Sequence, residues 1–277
     1  MDKDAMDKVY SLAYLTACHV DAVTALRIAA ELGYRHVGLR PLPNGSGGAF
    51  QPLIGEPAIL REVLARQRDS GVTVFDLEIV RIGAQFDPAA FRPLMEVGQA
   101  LGARAVLIAA DDPEPSRLAD HYGRLCELMH PYGLTADLEF MPWTAVRTAR
   151  QAIAVIEAAG APANAGILVD ALHVGRSETT LADLRAIPRD WLHYAQICDA
   201  TIRPDHDGPF TLDELIRTAR AERLLPGEGE IDLKGLFAAL PADLPISVEI
   251  VHLERMADRG NAGWAADCLA ASRALLG

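Results

Sequence analysis

The sequence predicts a parallel (β/α)₈ barrel, and three observations carry that expectation. Short apolar runs alternate with longer amphipathic stretches throughout the chain. Most of the amphipathic stretches close on a glycine just before the next run, and eight runs can be counted in 277 residues. A barrel of this class needs roughly 250 residues, and the recurring helix–Gly–strand order suits right-handed βαβ units better than a sandwich. A doubly wound open sheet is the alternative, because periodicity alone does not show closure. No linker or compositional break divides the chain, so one domain over 1–277 is expected.

The elements follow in order. Val9–Leu15 reads as a first strand, and Asp21 is the N-cap candidate for a helix ending at Gly33. His36–Arg40 is the second strand; a Gly/Pro-rich loop, Pro41–Gly55, and a helix over 56–70 follow. Val72–Ile79 is the third strand and leads to a helix over 88–101. Ala105–Ala109, a helix over 115–132, Leu134–Phe140 and a helix over 144–159 come next. Gly166–Asp170, a short helix near Leu181 and Trp191–Ile197 continue the cycle. A long loop region over 199–230, a helix over 233–240, Pro245–Val251 and a last helix over 264–276 complete it. Both long loops follow strands, which places them on the barrel's C-terminal face, where active sites of this fold are built. Tolerated insertion is the plainer explanation of their length.

Composition narrows the partners. Half of the residues are hydrophobic, enough for a large core, and the formal charge of −12 repels phosphate backbones and anionic membranes. A small molecule is the expected ligand, with no nucleic acid and no membrane partner; a homo-oligomer is compatible with the sequence. The four cysteines are scattered without metal-binding spacing, as in proteins of a reducing compartment. Met1–Lys8 lacks the apolar core of a secretory signal, and no apolar run approaches the roughly 20 residues of a membrane span. A cytoplasmic location is expected.

The informative residues end strands. Alternation along 134–140 turns Ala136, Leu138 and Phe140 outward, and Thr135, Asp137 and Glu139 toward the barrel axis. Glu139, Asp170, Gln196 and Glu249 then send four oxygen-bearing side chains from four consecutive strands toward one rim. Three carboxylates in a low-dielectric cup repel one another unless some are protonated or a cation lies between them. Oxygen donors suit Mn²⁺ or Mg²⁺; zinc is disfavoured because no histidine stands at these four positions. Taken singly, each acid is equally well a cap or a loop hydrogen-bonding residue. His173, three residues after Asp170, could reach the same cup, although a lone histidine is usually a packed or surface residue. Arg220 and Arg223 precede a Leu-Leu-Pro-Gly-Glu-Gly-Glu run. A guanidinium there either holds a carboxylate, hydroxyl or phosphate of a substrate, or pins the loop through Glu228 or Glu230. Trp143 floors a sugar-sized pocket or packs the next helix. Arg40 and Glu78, at the ends of the second and third strands, are weaker candidates.

As a set, 138–143 (LEFMPW), 167–173 (ILVDALH), 194–200 (YAQICDA), 223–232 (RLLPGEGEID) and 246–249 (ISVE) resemble the xylose-isomerase-like superfamily. That is the barrel group of sugar-phosphate isomerases and epimerases. The resemblance implies a divalent metal held by Glu139, Asp170, Gln196 and Glu249, with His173 contacting substrate. The family often has His where this chain has Gln196. It also implies an isomerase or epimerase acting on a small sugar or keto-sugar through a metal-stabilised enediolate, with Glu139 and Glu249 as the proton-transfer pair. The alternative is a metal-dependent dehydratase, a lyase of a keto-cyclitol or 3-dehydroshikimate-like acid, with His173 as acid or base and Arg223 as carboxylate anchor. A DNA-repair endonuclease and a non-catalytic sugar-binding barrel rank lower, the first because of the net charge and missing imidazoles, the second because the ligand set is intact.

Overall fold

The computed structural model describes residues 8–45 and 47–277. The opening segment read above for a secretory signal therefore lies outside the described residues, except for Lys8, as does Ser46 of the first long loop. Eight strands, all paired in parallel with their sequence neighbours, close into a barrel through β1 and β8. They are β1 (Tyr10–Leu12), β2 (His36–Leu39), β3 (Thr73–Ile82), β4 (Ala105–Ala110), β5 (Thr135–Glu139), β6 (Ala165–Asp170), β7 (Ala195–Ile197) and β8 (Ile246–Val248). The helices are α1 (Ala22–Leu32), α2 (Pro57–Ser70), α3 (Arg92–Leu101), α4 (Pro115–Met129) and α5 (Ala149–Ala158). They continue as α6 (Ala171–Gly175), α7 (Leu181–Arg185), α8 (Leu212–Ala221), α9 (Leu233–Ala238) and α10 (Leu253–Leu276). Closure excludes the open sheet.

Burial on both faces explains why the strands read as unbroken apolar runs. In β4, Val106, Ile108 and Ala110 join the large core between sheet and helices. Their neighbours Ala105, Leu107 and Ala109 pack inside the barrel with Phe75, Leu168 and Tyr194. In β5, Ala136 and Leu138 face the helices. Asp137 is buried on the other face, accepting from the Thr135 hydroxyl at 2.5 Å and bonded to His193 Nδ1 at 2.7 Å.

Several boundaries differ from the sequence expectation, some of them for a local polar reason. β1 stops at Leu12, and Tyr14–Ala17 forms a 3₁₀ turn. The Thr16 hydroxyl donates to the Val248 carbonyl and accepts from Ile250 N–H, both at 2.7 Å, tying that turn to β8. β7 starts at Ala195, after a 3₁₀ turn over Arg189–Trp191. α5 begins at Ala149, where the Thr148 hydroxyl caps it, while Thr144 bonds back into its own turn. α10 starts at Leu253 and bends at Gly260, whose φ of 67° no helix interior has; the expected helix is its second arm. The five-residue α6, for which the sequence reading has no element, is capped by Asp170.

Candidate active site

The strand ends deliver the predicted side chains to one cup on the C-terminal side. Glu139 closes β5, Asp170 closes β6, Gln196 lies in β7, and Glu249 stands one residue past β8; all four are buried. A cavity of about 260 Å³ opens above them. Its walls include Glu139, Glu249, His173, Trp143, Arg40 and Glu78.

Asp170 does two things at once. Its Oδ1 accepts from His173 N–H at 3.2 Å, which caps α6, and its Oδ2 accepts from Arg223 Nη1 at 2.6 Å. The cap explains how His173 enters the cup: one helical turn from the strand end carries the imidazole back over the rim. Its Nε2 comes within 3.5 Å of Glu139 Oε1, and its ring meets Trp143 edge-on at 5.0 Å. Trp143 thus lines the cavity itself and packs against the imidazole of His173.

Arg223 is the residue whose place the sequence did not reveal. It is buried, and its Nη2 pairs with Glu249 Oε2 at 2.7 Å while Nη1 holds Asp170. Its Nε donates to the Ala219 carbonyl at 3.1 Å. The pinned-loop expectation is corrected: Glu228 pairs with Arg255, and Glu230 accepts from Ile202 N–H. The loop is fastened by Asp199 instead, which accepts from the N–H groups of Ala200, Gly227 and Ile231. Gln196 Nε2 donates to Glu249 Oε1 at 3.0 Å, so both Glu249 oxygens are engaged. Arg40 pairs with Glu78 at 2.9 Å and lies over the Tyr14 ring.

The electrostatics follow from burial. Burial, reinforced by Asp170 and Glu249, pushes the Glu139 carboxyl well above the usual range. Glu249 is also raised, mainly by burial, although Arg223 opposes it. Burial works the same way on Asp170, yet Arg223 and His173 outweigh it and hold that carboxylate below its ordinary value. Burial lowers His173 to about 4, so its imidazole is neutral at physiological pH.

These residues fit a divalent cation. Ligand atoms of Glu139, Asp170 and His173 lie within 4.8 Å of one another. The buried Gln196 Oε1 has no hydrogen-bond partner among the described residues, a costly state that a cation would relieve. With Arg223 offsetting one of three carboxylates, the cup retains a formal charge of −2, which one divalent ion would balance. No histidine stands at the four predicted positions, but His173 lies with the oxygen donors, so an imidazole nitrogen is within the candidate set.

Residues 26–271 match the xylose isomerase-like TIM barrel family, and the chain belongs to that family. Over 208 residues the chain is 27% identical to a 3-dehydroshikimate dehydratase of Pseudomonas aeruginosa, an alignment covering 73% of this chain and 29% of that protein. The chain thus spans less than a third of the length of the curated relatives it matches. Among solved structures, the IolI protein with a bound zinc atom superposes with a TM-score of 0.78 at 18% identity, over 97% of this chain and 98% of the other. A D-allulose 3-epimerase from Methylomonas sp., in complex with D-allulose, gives 0.68 at 17%, over 97% of each chain. At these identities the solved structures share the fold.

Four residues lining the cavity were missed or undervalued in the sequence. Tyr14, His19 and Arg81 line it without having been singled out, and Arg220 lines it from the end of α8. Arg81 could have been found only by extending β3 beyond Ile79, which the apolar pattern did not require.

Proposed function

We propose that this barrel is a divalent-metal-dependent enzyme that removes the proton beside the carbonyl of a small hydroxylated carbonyl compound and expels a β-hydroxyl as water. A bound ion held by Glu139, Asp170, Gln196 and Glu249 would draw electron density from the substrate carbonyl and acidify the adjoining C–H. The contact between Glu139 and His173, beside a Glu249 with both oxygens engaged, carries the reading. Glu139 accepts no hydrogen bond among the described residues, which leaves an oxygen free to take the α-proton. The C–H electron pair becomes the new C=C bond, and the C–O pair leaves with the β-hydroxyl. Glu139 then returns its proton on the His173 side, completing the departing water. Neutral His173 orients that transfer and, with Trp143, excludes bulk water. The 3-dehydroshikimate dehydratase relative supports elimination from a keto acid of that kind.

A second reading is isomerisation or epimerisation of a small sugar or keto-sugar, with Glu139 and Glu249 as the proton-transfer pair. Its support is that Glu139, at the end of β5, and Glu249, just past β8, are buried carboxyls that line the same cavity. In D₂O, with Mn²⁺, Mg²⁺ or Zn²⁺ supplied, a panel of ketoses and hydroxylated keto acids separates the two by mass spectrometry. Loss of one water from a keto acid is expected. Deuterium exchange or epimer formation with no loss of water would replace the first reading by the second.

A further inference from the structure

We propose that Arg220, backed by Arg40 and Arg81 at the mouth of the cup, seats a carboxylate of the substrate. The barrel would then select anionic hydroxylated carbonyl compounds over neutral sugars. This rests on the reading above and adds the recognition group.

Three observations converge. First, Arg223 cannot serve as the anchor: it is buried, and its guanidinium is spent on Asp170 and Glu249. Second, the cavity wall holds three more arginines. Arg40 is tied to Glu78, and Arg81 to Asp111 at 2.6 and 2.7 Å. Arg220 has no hydrogen bond or ion pair among the described residues, although it lines the same cavity. Third, the three lie near enough to repel. Partial burial, and then Arg81 and Arg40, lower the proton affinity of Arg220. The acids that share this cavity, Glu78, Glu139 and Glu249, make no ion pair with Arg220 among the described residues: Glu78 pairs with Arg40 and Glu249 with Arg223.

The charge count of the cup agrees. Arg40, Arg81, Arg220 and Arg223 match Glu78, Glu139, Asp170 and Glu249 in number, and Asp111 takes up Arg81 from outside. Counted over this wider set, Asp111 included, a divalent cation takes the formal charge from −1 to +1, which a monocarboxylate closes. A guanidinium fork fits a carboxylate through two parallel N–H donors. The cavity, about 260 Å³, suits a small ring-sized acid, at the lower end of the roughly 300–1,000 Å³ of ligand pockets.

The test uses two probes that differ only in the carboxylate: 3,4-dihydroxybenzoate, the aromatic acid left when 3-dehydroshikimate loses water, and catechol. Both present the same vicinal hydroxyls to a metal, so the ratio of their affinities isolates the mouth. Calorimetric titration of the full chain in Mn²⁺ should show the acid binding at least tenfold tighter than catechol. Arg220→Gln should abolish that preference while catechol binds as before, and Arg220→Lys should retain part of it. Inorganic phosphate competing better than benzoate would make the anchored group a phosphate and overturn the carboxylate assignment. Equal affinities in the wild type, or an unchanged ratio in Arg220→Gln, would also overturn the proposal, whatever reaction is catalysed. Keto-acid turnover with an unchanged ratio sinks the anchor alone. A carboxylate preference with no water loss from any keto acid sinks the elimination reading alone.

Discussion

At the scale of single residues, Arg223 decides how the site survives folding. Two buried carboxylates converge on its guanidinium, at 2.6 and 2.7 Å. Removing one member of a buried ion-pair group strands the others, at a cost of about 3–5 kcal/mol. Arg223→Met is therefore expected to lower unfolding stability by about that amount in urea denaturation of the metal-free protein. Arg223→Lys should lose less, because the charge stays while the fork geometry goes. A loss below about 1 kcal/mol in Arg223→Met would show that the carboxyls are protonated and need no counter-ion. The sequence offered Arg223 as a substrate anchor or a loop pin; it showed the residue but not the target. Asp170 and Glu249 are 53 and 26 positions away, and nothing in local spacing encodes a contact made by barrel closure.

At the scale of elements, polar side chains inside a barrel tie strands together where hydrophobic packing alone would leave their register loose. His36 of β2 bonds to the Thr73 hydroxyl of β3 at 2.6 Å, against the Phe75 ring. Burial, and then Arg104 and Arg35, lower this imidazole from 6.5 to about 4. The unfolded chain then binds a proton in that window and the folded one does not, so stability falls as pH drops from about 6.5 to about 4. His36→Gln should flatten the dependence of melting temperature on pH across this interval, by about one proton's worth of slope. Identical slopes for the two proteins would place the titration elsewhere. Elements with strong period and glycine stops, such as α1 with its Asp21 cap and Gly33 end, stand where the sequence puts them. Two of the misplaced boundaries are set by hydroxyl hydrogen bonds, at Thr16 and Thr148, where apolar pattern carries no information.

At the scale of the whole molecule, closure converts four separated strand ends into one acidic cup. Glu139, Asp170, Gln196 and Glu249 were readable because alternation fixes the face of each strand, and the barrel then fixes the rim. The cationic mouth was not readable, since Arg40, Arg81 and Arg220 come from three elements whose side chains meet only in the closed form. Among the described residues no helix is long and apolar enough to cross a membrane. The account depends on the cup holding one divalent ion, and elemental analysis of dialysed protein after supplying Zn²⁺, Mn²⁺ and Mg²⁺ in turn tests it most directly. About one ion per chain is expected, with Asp170→Asn and Glu139→Gln losing most of it while keeping the fold by circular dichroism. Protein that stays empty with all three metals, or variants that hold the ion as tightly as the wild type, would contradict it.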